Sequence, residues 1–134
     1  PPPVEVAALL ALARQDTAAA RKLLATPDSA RKFYPGWIPL YAQAQFLLGD
    51  YRGTVETLKI YDTDQFLTRG FDPRWAQIGR VRLLRGAAYE KLGRPAEAAE
   101  QYQLVLSQWK SADPDLEVFL RQAEAGLARV QGRG

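Results

Sequence analysis

Residues 89–103 read YEKLGRPAEAAEQYQ, and the way this stretch stops and restarts decides the fold. Upstream, Trp75, Ile78, Val81, Leu84, Ala88 and Leu92 recur at the spacing of one helix face. Asp72 is placed to cap that helix and Pro73 to occupy its first position. Gly93 is placed to end it, because a left-handed backbone turn costs glycine nothing. Pro95 then restarts the chain as a helix, its fixed φ and missing N–H both suiting a first turn. The stretch is therefore the hinge of a helical hairpin.

The same hinge appears twice more. ALARQDTAAARKLLA (11–25) and QFLLGDYRGTVETLK (45–59) align with it, the breaks falling at Gln15-Asp16, Gly49-Asp50 and Gly93-Arg94. A small residue follows five positions on (Ala20, Thr54, Ala98), and a larger one four later (Leu24, Leu58, Tyr102). The first two copies lie 34 residues apart and the second and third 44. Asp16 and Asp50 are the expected caps of their second helices. A seventh helix is expected over about 114–130, with Asp113 as cap and Leu116, Phe119, Leu120, Ala123, Leu127 and Val130 as its apolar stripe. The hairpins are expected at about 4–26, 37–61 and 73–109, in one domain spanning 4–134.

This pattern resembles the tetratricopeptide repeat, whose motif runs W-x2-L-G-x2-Y, then A-x3-F, then P. The third copy carries it as Arg82-x2-Arg85-Gly86-x2-Tyr89, then Ala98-x3-Tyr102. The second reads Ile38-x2-Tyr41-Ala42-x2-Gln45, then Thr54-x3-Leu58, and the first Val4-x2-Ala7-Ala8-x2-Ala11, then Ala20-x3-Leu24. The resemblance implies an all-α, right-handed α-solenoid of about three hairpins closed by a C-terminal capping helix. The stretch from Tyr89 to Glu117 is also similar to C-terminal repeat modules of large bacterial multidomain proteins. Arg82 and Arg85 stand where the motif has Trp and Leu, and ten extra residues separate the second and third copies.

In this family the first helix of each pair lines a concave groove. Carried over, the lining falls at Glu5, Leu9 and Leu12; at Pro39, Gln43, Phe46 and Leu47; and at Leu83, Ala87, Glu90 and Lys91. An apolar groove of this kind suits an amphipathic helix or an extended hydrophobic peptide. The alternative occupant is the chain's own inserted segment, with Phe66, Leu67 and Phe71. The expected function is thus a non-catalytic protein-binding adaptor, with structural self-association into a dimer or head-to-tail assembly as the alternative.

Composition narrows the chemistry. The 134 residues match one ordinary domain, 47% hydrophobic and 25% charged. Cys, His and Met do not occur, so thiol chemistry, disulfides and imidazole bases are excluded within this chain. A chain without Met reads as a piece of something longer, and the leading Pro1–Pro3 as the remnant of a stiff linker. No cofactor is implied, no run is long and apolar enough for a membrane span, and the compartment is left open with the cytoplasm slightly favoured.

Three charged constellations need weighing. Arg74, Arg82 and Arg85 belong to a stretch, 73–94, that carries +5 within an overall +3. Such a basic patch can meet phosphate, but arginine stems also cover apolar surface and pair with acids of neighbouring helices. Aromatics are not interleaved with these arginines in an exposed strand pattern, so nucleic acid is disfavoured. Glu97 and Glu100 share a helix face beside its N-terminus, where the dipole favours negative charge, and read as solvated surface. Asp62 and Asp64 begin like a calcium loop, but Phe66 and Leu67 then occupy a ligand and a glycine position, so a turn or capping role is favoured and no metal site is expected.

Overall fold

The computed structural model describes residues 3–26, 38–62, 75–108 and 117–132. Among them all regular structure is helical: α1 (Val4–Ala13), α2 (Thr17–Leu24), α3 (Ile38–Leu47), α4 (Tyr51–Leu58), a 3₁₀ turn (Lys59–Asp62), α5 (Trp75–Lys91), α6 (Pro95–Gln108) and α7 (Glu117–Val130). The all-α class follows the sequence, and a helix lies on either side of each expected hinge. The expected caps Asp72 and Asp113, with Pro73 and Pro114, lie outside the described residues.

The three hinges are built alike. The N–H groups of Asp16, Asp50 and Arg94 bond back to the carbonyls of Ala11, Gln45 and Tyr89 at 2.8, 2.9 and 2.9 Å. Those of Gln15, Gly49 and Gly93 bond to Leu12, Phe46 and Glu90 at 2.9, 3.0 and 3.1 Å. This pair of bonds closes a helix whose next residue is left-handed, and φ is +62° at Gln15, +81° at Gly49 and +70° at Gly93. The first hinge therefore holds a side-chain-bearing residue where the other two use glycine. Asp16 Oδ1 accepts from the Ala19 N–H at 3.0 Å, and Asp50 Oδ1 from the Gly53 N–H at 2.9 Å, as the sequence expects of caps. At the third hinge Arg94 cannot accept; its guanidinium instead donates to Glu97, with Nε 2.7 Å from Oε1, and lies over the Tyr89 ring at 5.1 Å.

The chain divides into two compact units, Pro1–Leu58 and Lys59–Gly134, where the sequence suggests one domain. In the first, α1 packs on α2 and α3, and α3 on α4. Its centre is a cluster of small residues, Ala8, Ala11, Ala20 and Ala44, with Leu9, Leu12, Leu23, Leu24 and Leu48 packed around them. Small side chains let the helix axes approach closely, and the leucines fill the margins. Thr54, the small residue of the second copy, is fully buried; its hydroxyl donates to the Asp50 carbonyl at 2.9 Å, so its burial leaves no polar group unpaired.

Among the described residues of the second unit, α6 packs on α5 and α7, and α7 also reaches α5. Tyr102 of α6 is its central side chain, 2% exposed. The ring lies so close to two glycines that a Cβ on Gly86 would stand 2.5 Å from its Cε1, and one on Gly126 2.5 Å from its Cζ. Burying a ring of this size contributes roughly 2–3 kcal/mol. The expected stripe of α7 is turned inward in graded fashion, with Ala123 buried and Phe119, Leu120, Leu127 and Val130 half-buried, while Leu116 lies outside the described residues.

Candidate functional site

Each row of expected groove residues is described within its own unit. On α3, Gln43 is exposed, Pro39 and Phe46 are half-buried, and Leu47 is 57% exposed, an unusually open position for a large apolar side chain. Phe46 is steadied by Tyr51, the rings meeting edge to face with centroids 5.2 Å apart at 65°. On α1, Leu9 and Leu12 pack against the alanine cluster, and Glu5 is buried. The α1 row thus serves the core of the first unit, whereas the α3 row offers an aromatic edge and an open leucine.

On α5, Leu83 and Ala87 are half-buried and Lys91 is exposed. Glu90 is engaged within its unit. Arg129 of α7 donates to it from Nε at 3.1 Å and from a terminal nitrogen at 3.2 Å, and the Tyr102 hydroxyl donates to the same carboxylate. Burial works against ionisation of Glu90, but the hydrogen bonds of Arg129 and Tyr102 and the charges of Arg129 and Lys91 outweigh it and hold the carboxyl below its ordinary range. The Tyr102 hydroxyl is pushed up, by burial first and then by donating to Glu90. Glu90 therefore ties α5, α6 and α7 together.

The arginines expected as a basic patch are placed differently from a surface patch. Arg82 is 8% exposed and Arg85 5%, while Arg74 lies outside the described residues. Arg85 grips Asp62 with both terminal nitrogens, at 2.6 and 3.0 Å, in the bidentate geometry that suits a guanidinium and a carboxylate. The Asp62 side chain is 60% exposed, so the pair is lopsided, one partner buried and the other largely in water. Burial works against the charge of both arginines. Bonds to Asp62 and Tyr89 overcome it at Arg85, whereas Arg82 is less basic than usual, through burial and then the neighbouring charge of Arg85. The Arg85 Nε–H and the Gln101 Oε1 are buried without a hydrogen-bond partner.

Asp62 thus serves as an ion-pair partner, and Asp64 lies outside the described residues, as do Phe66, Leu67 and Phe71. Glu97 is bound by Arg94, and Glu100 is exposed. Among the described residues no three His, Cys, Asp or Glu side chains gather as a metal site, and no helix is long and apolar enough to cross a membrane. One feature escapes sequence reading. The Arg129–Glu90 bond joins residues 39 apart with no spacing rule to announce it. The pairing of Arg85 with Asp62 had a signal, a charged residue at a motif position that ordinarily takes leucine, followed back to acids in the added segment.

Comparison with known protein families, with curated proteins and with solved structures finds no match to this chain.

Proposed function

We propose that the chain is a tetratricopeptide-like adaptor, a right-handed stack of helical hairpins with no chemistry of its own, which binds a partner helix or hydrophobic peptide against the first helices of its hairpins. The observation that carries this reading is the α3 row: Leu47 stands 57% exposed beside the braced Phe46, with exposed Gln43 one turn away. An open aliphatic side chain, with a fixed aromatic ring and an amide on the same helix, is the kind of surface that can receive the apolar stripe of an amphipathic helix. Leu83 and Ala87 form the corresponding, more recessed row on α5. The resemblance of the three hairpins to the family motif supports the same assignment of roles. Bacterial origin within a larger multidomain protein belongs to this proposal too.

A displayed library of random amphipathic peptides, panned against the whole chain, tests the proposal. Selected peptides are expected to lose at least about tenfold in affinity for Leu47→Glu, a penalty of about 1.4 kcal/mol or more. Val118→Glu, at an equally open apolar position on α7, is expected to leave binding unchanged. Equal binding to wild type and Leu47→Glu would remove the α3 row from the reading. Self-association is the second reading, favoured by a separate exposed leucine on α1.

A further inference from the structure

In the second unit α7 is fastened differently from the two helices it lies on. The α5–α6 hairpin buries Val81, Tyr89, Tyr102 and Val105. Among the described residues of α7 the buried ones are Ala123 and Gly126, both small, while Phe119, Leu120, Leu127 and Val130 are half-buried. A helix that fully buries only small residues gives up comparatively little apolar contact when it lifts away. Its other fastening is polar. Glu90 Oε1 accepts from Arg129 Nε at 3.1 Å, and Oε2 accepts from a terminal nitrogen of Arg129 at 3.2 Å and from the Tyr102 hydroxyl. Both oxygens of one carboxylate on α5 thus face donors, one set from α7 and one from α6.

We propose that Glu90 is an acid-released latch: ionised, it keeps α7 docked, and when it takes up a proton the balance shifts toward an undocked α7 while the α5–α6 hairpin keeps its fold. The proton turns one oxygen from an acceptor into a donor that faces donors, and it removes the negative charge opposite Arg129. The groups that bear on Glu90 are Arg129 from α7, Tyr102 from α6 and Lys91 beside it on α5. In acid the arginine and lysine stay cationic and the tyrosine stays protonated, so the carboxyl is the member of the cluster that changes state. Burial opposes its ionisation, but the bonds of Arg129 and Tyr102 and the charges of Arg129 and Lys91 outweigh that and hold the docked carboxyl below its ordinary range. Once α7 lifts, the carboxyl returns toward the ordinary range. The latch is therefore closed above the ordinary glutamate range and is lost as the pH falls through the lower pKa of the docked state. The chain has no histidine, so its acid response is made by carboxyl groups. Lifting α7 uncovers the side of the Tyr102 ring on which Gly126 is seated.

Amide hydrogen exchange of the full chain between about pH 7 and about pH 3, corrected for the intrinsic exchange rate at each pH, tests the latch. In the wild type the opening of α7, over Glu117–Val130, is expected to rise by about tenfold as the pH falls through the glutamate range, following the uptake of one proton. That rise is expected to come ahead of any in α5 and α6. Glu90→Gln is neutral at every pH and is expected to show α7 already more open at neutral pH, with most of the pH dependence gone and exchange in α5 and α6 little changed. Glu97→Gln, which removes the carboxylate bound by Arg94, is expected to keep the wild-type pH dependence of α7. Equal pH dependence of α7 in the wild type and in Glu90→Gln overturns the proposal. So does a wild type in which α5, α6 and α7 open together, since acid would then unfold the whole unit rather than release one helix.

Discussion

Asp62 and Arg85 form one ion pair, yet substituting them has unequal consequences, because 60% of the Asp62 side chain is in water and only 6% of the Arg85 side chain is. Asp62→Ala strands a buried guanidinium and is expected to cost about 2 kcal/mol, the scale of a lost hydrogen bond to a charged group in a poorly hydrated place. Arg85→Leu leaves behind a carboxylate that water solvates, and it installs the residue type the repeat motif has at that position; its expected cost is below about 1 kcal/mol. Urea unfolding of the two variants checks the order, and a larger loss in Arg85→Leu would mean that the guanidinium stem, rather than its charge, matters most. At the same scale, the sequence made Gly49, Gly93, Asp16 and Asp50 legible because turn and cap chemistry is local. It could not place Arg85 inside, since burial of a charge depends on a partner 23 residues away.

At the scale of elements, the hairpins were readable and the fastening of α7 was not. Helical spacing, hinge glycine and restarting proline all act within a few residues, so α5 and α6 appear where the sequence puts them. What joins α7 to them is a ring between two glycines and a carboxylate shared by Tyr102 and Arg129, features that arise only once three helices meet. Gly86→Ala would gain roughly 1 kcal/mol of helix propensity on an isolated helix. Here its methyl meets the Tyr102 ring, and the net result expected is a loss of about 1–2 kcal/mol through overpacking. In a Tyr102→Ala background the same substitution is expected to become neutral or stabilising, which a double-mutant cycle of unfolding free energies measures. Additive effects would show that the ring and the glycine are not coupled.

On the scale of the molecule, the repeat is regular enough to compare its copies, and that comparison carries the functional reading. The α1 row of the expected groove is spent on the core of the first unit, Glu90 on fastening α7, and Arg82 and Arg85 on the interior of the second unit. The α3 row remains as the accessible part of the candidate site, and Leu10 of α1 is a separate exposed leucine. Sequence alone proposed the membership of these rows, through the resemblance of the hairpins to a repeat motif. It did not supply which rows stay open, because that is settled by the packing of neighbours.

The most direct test of the adaptor account is amide hydrogen exchange on the full chain, with and without a peptide selected for binding. The account predicts slowed exchange concentrated in 38–58, covering α3 and the α4 it packs on, with α7 unchanged. Slowed exchange confined to α7, or a bound peptide that leaves 38–58 untouched, would contradict it.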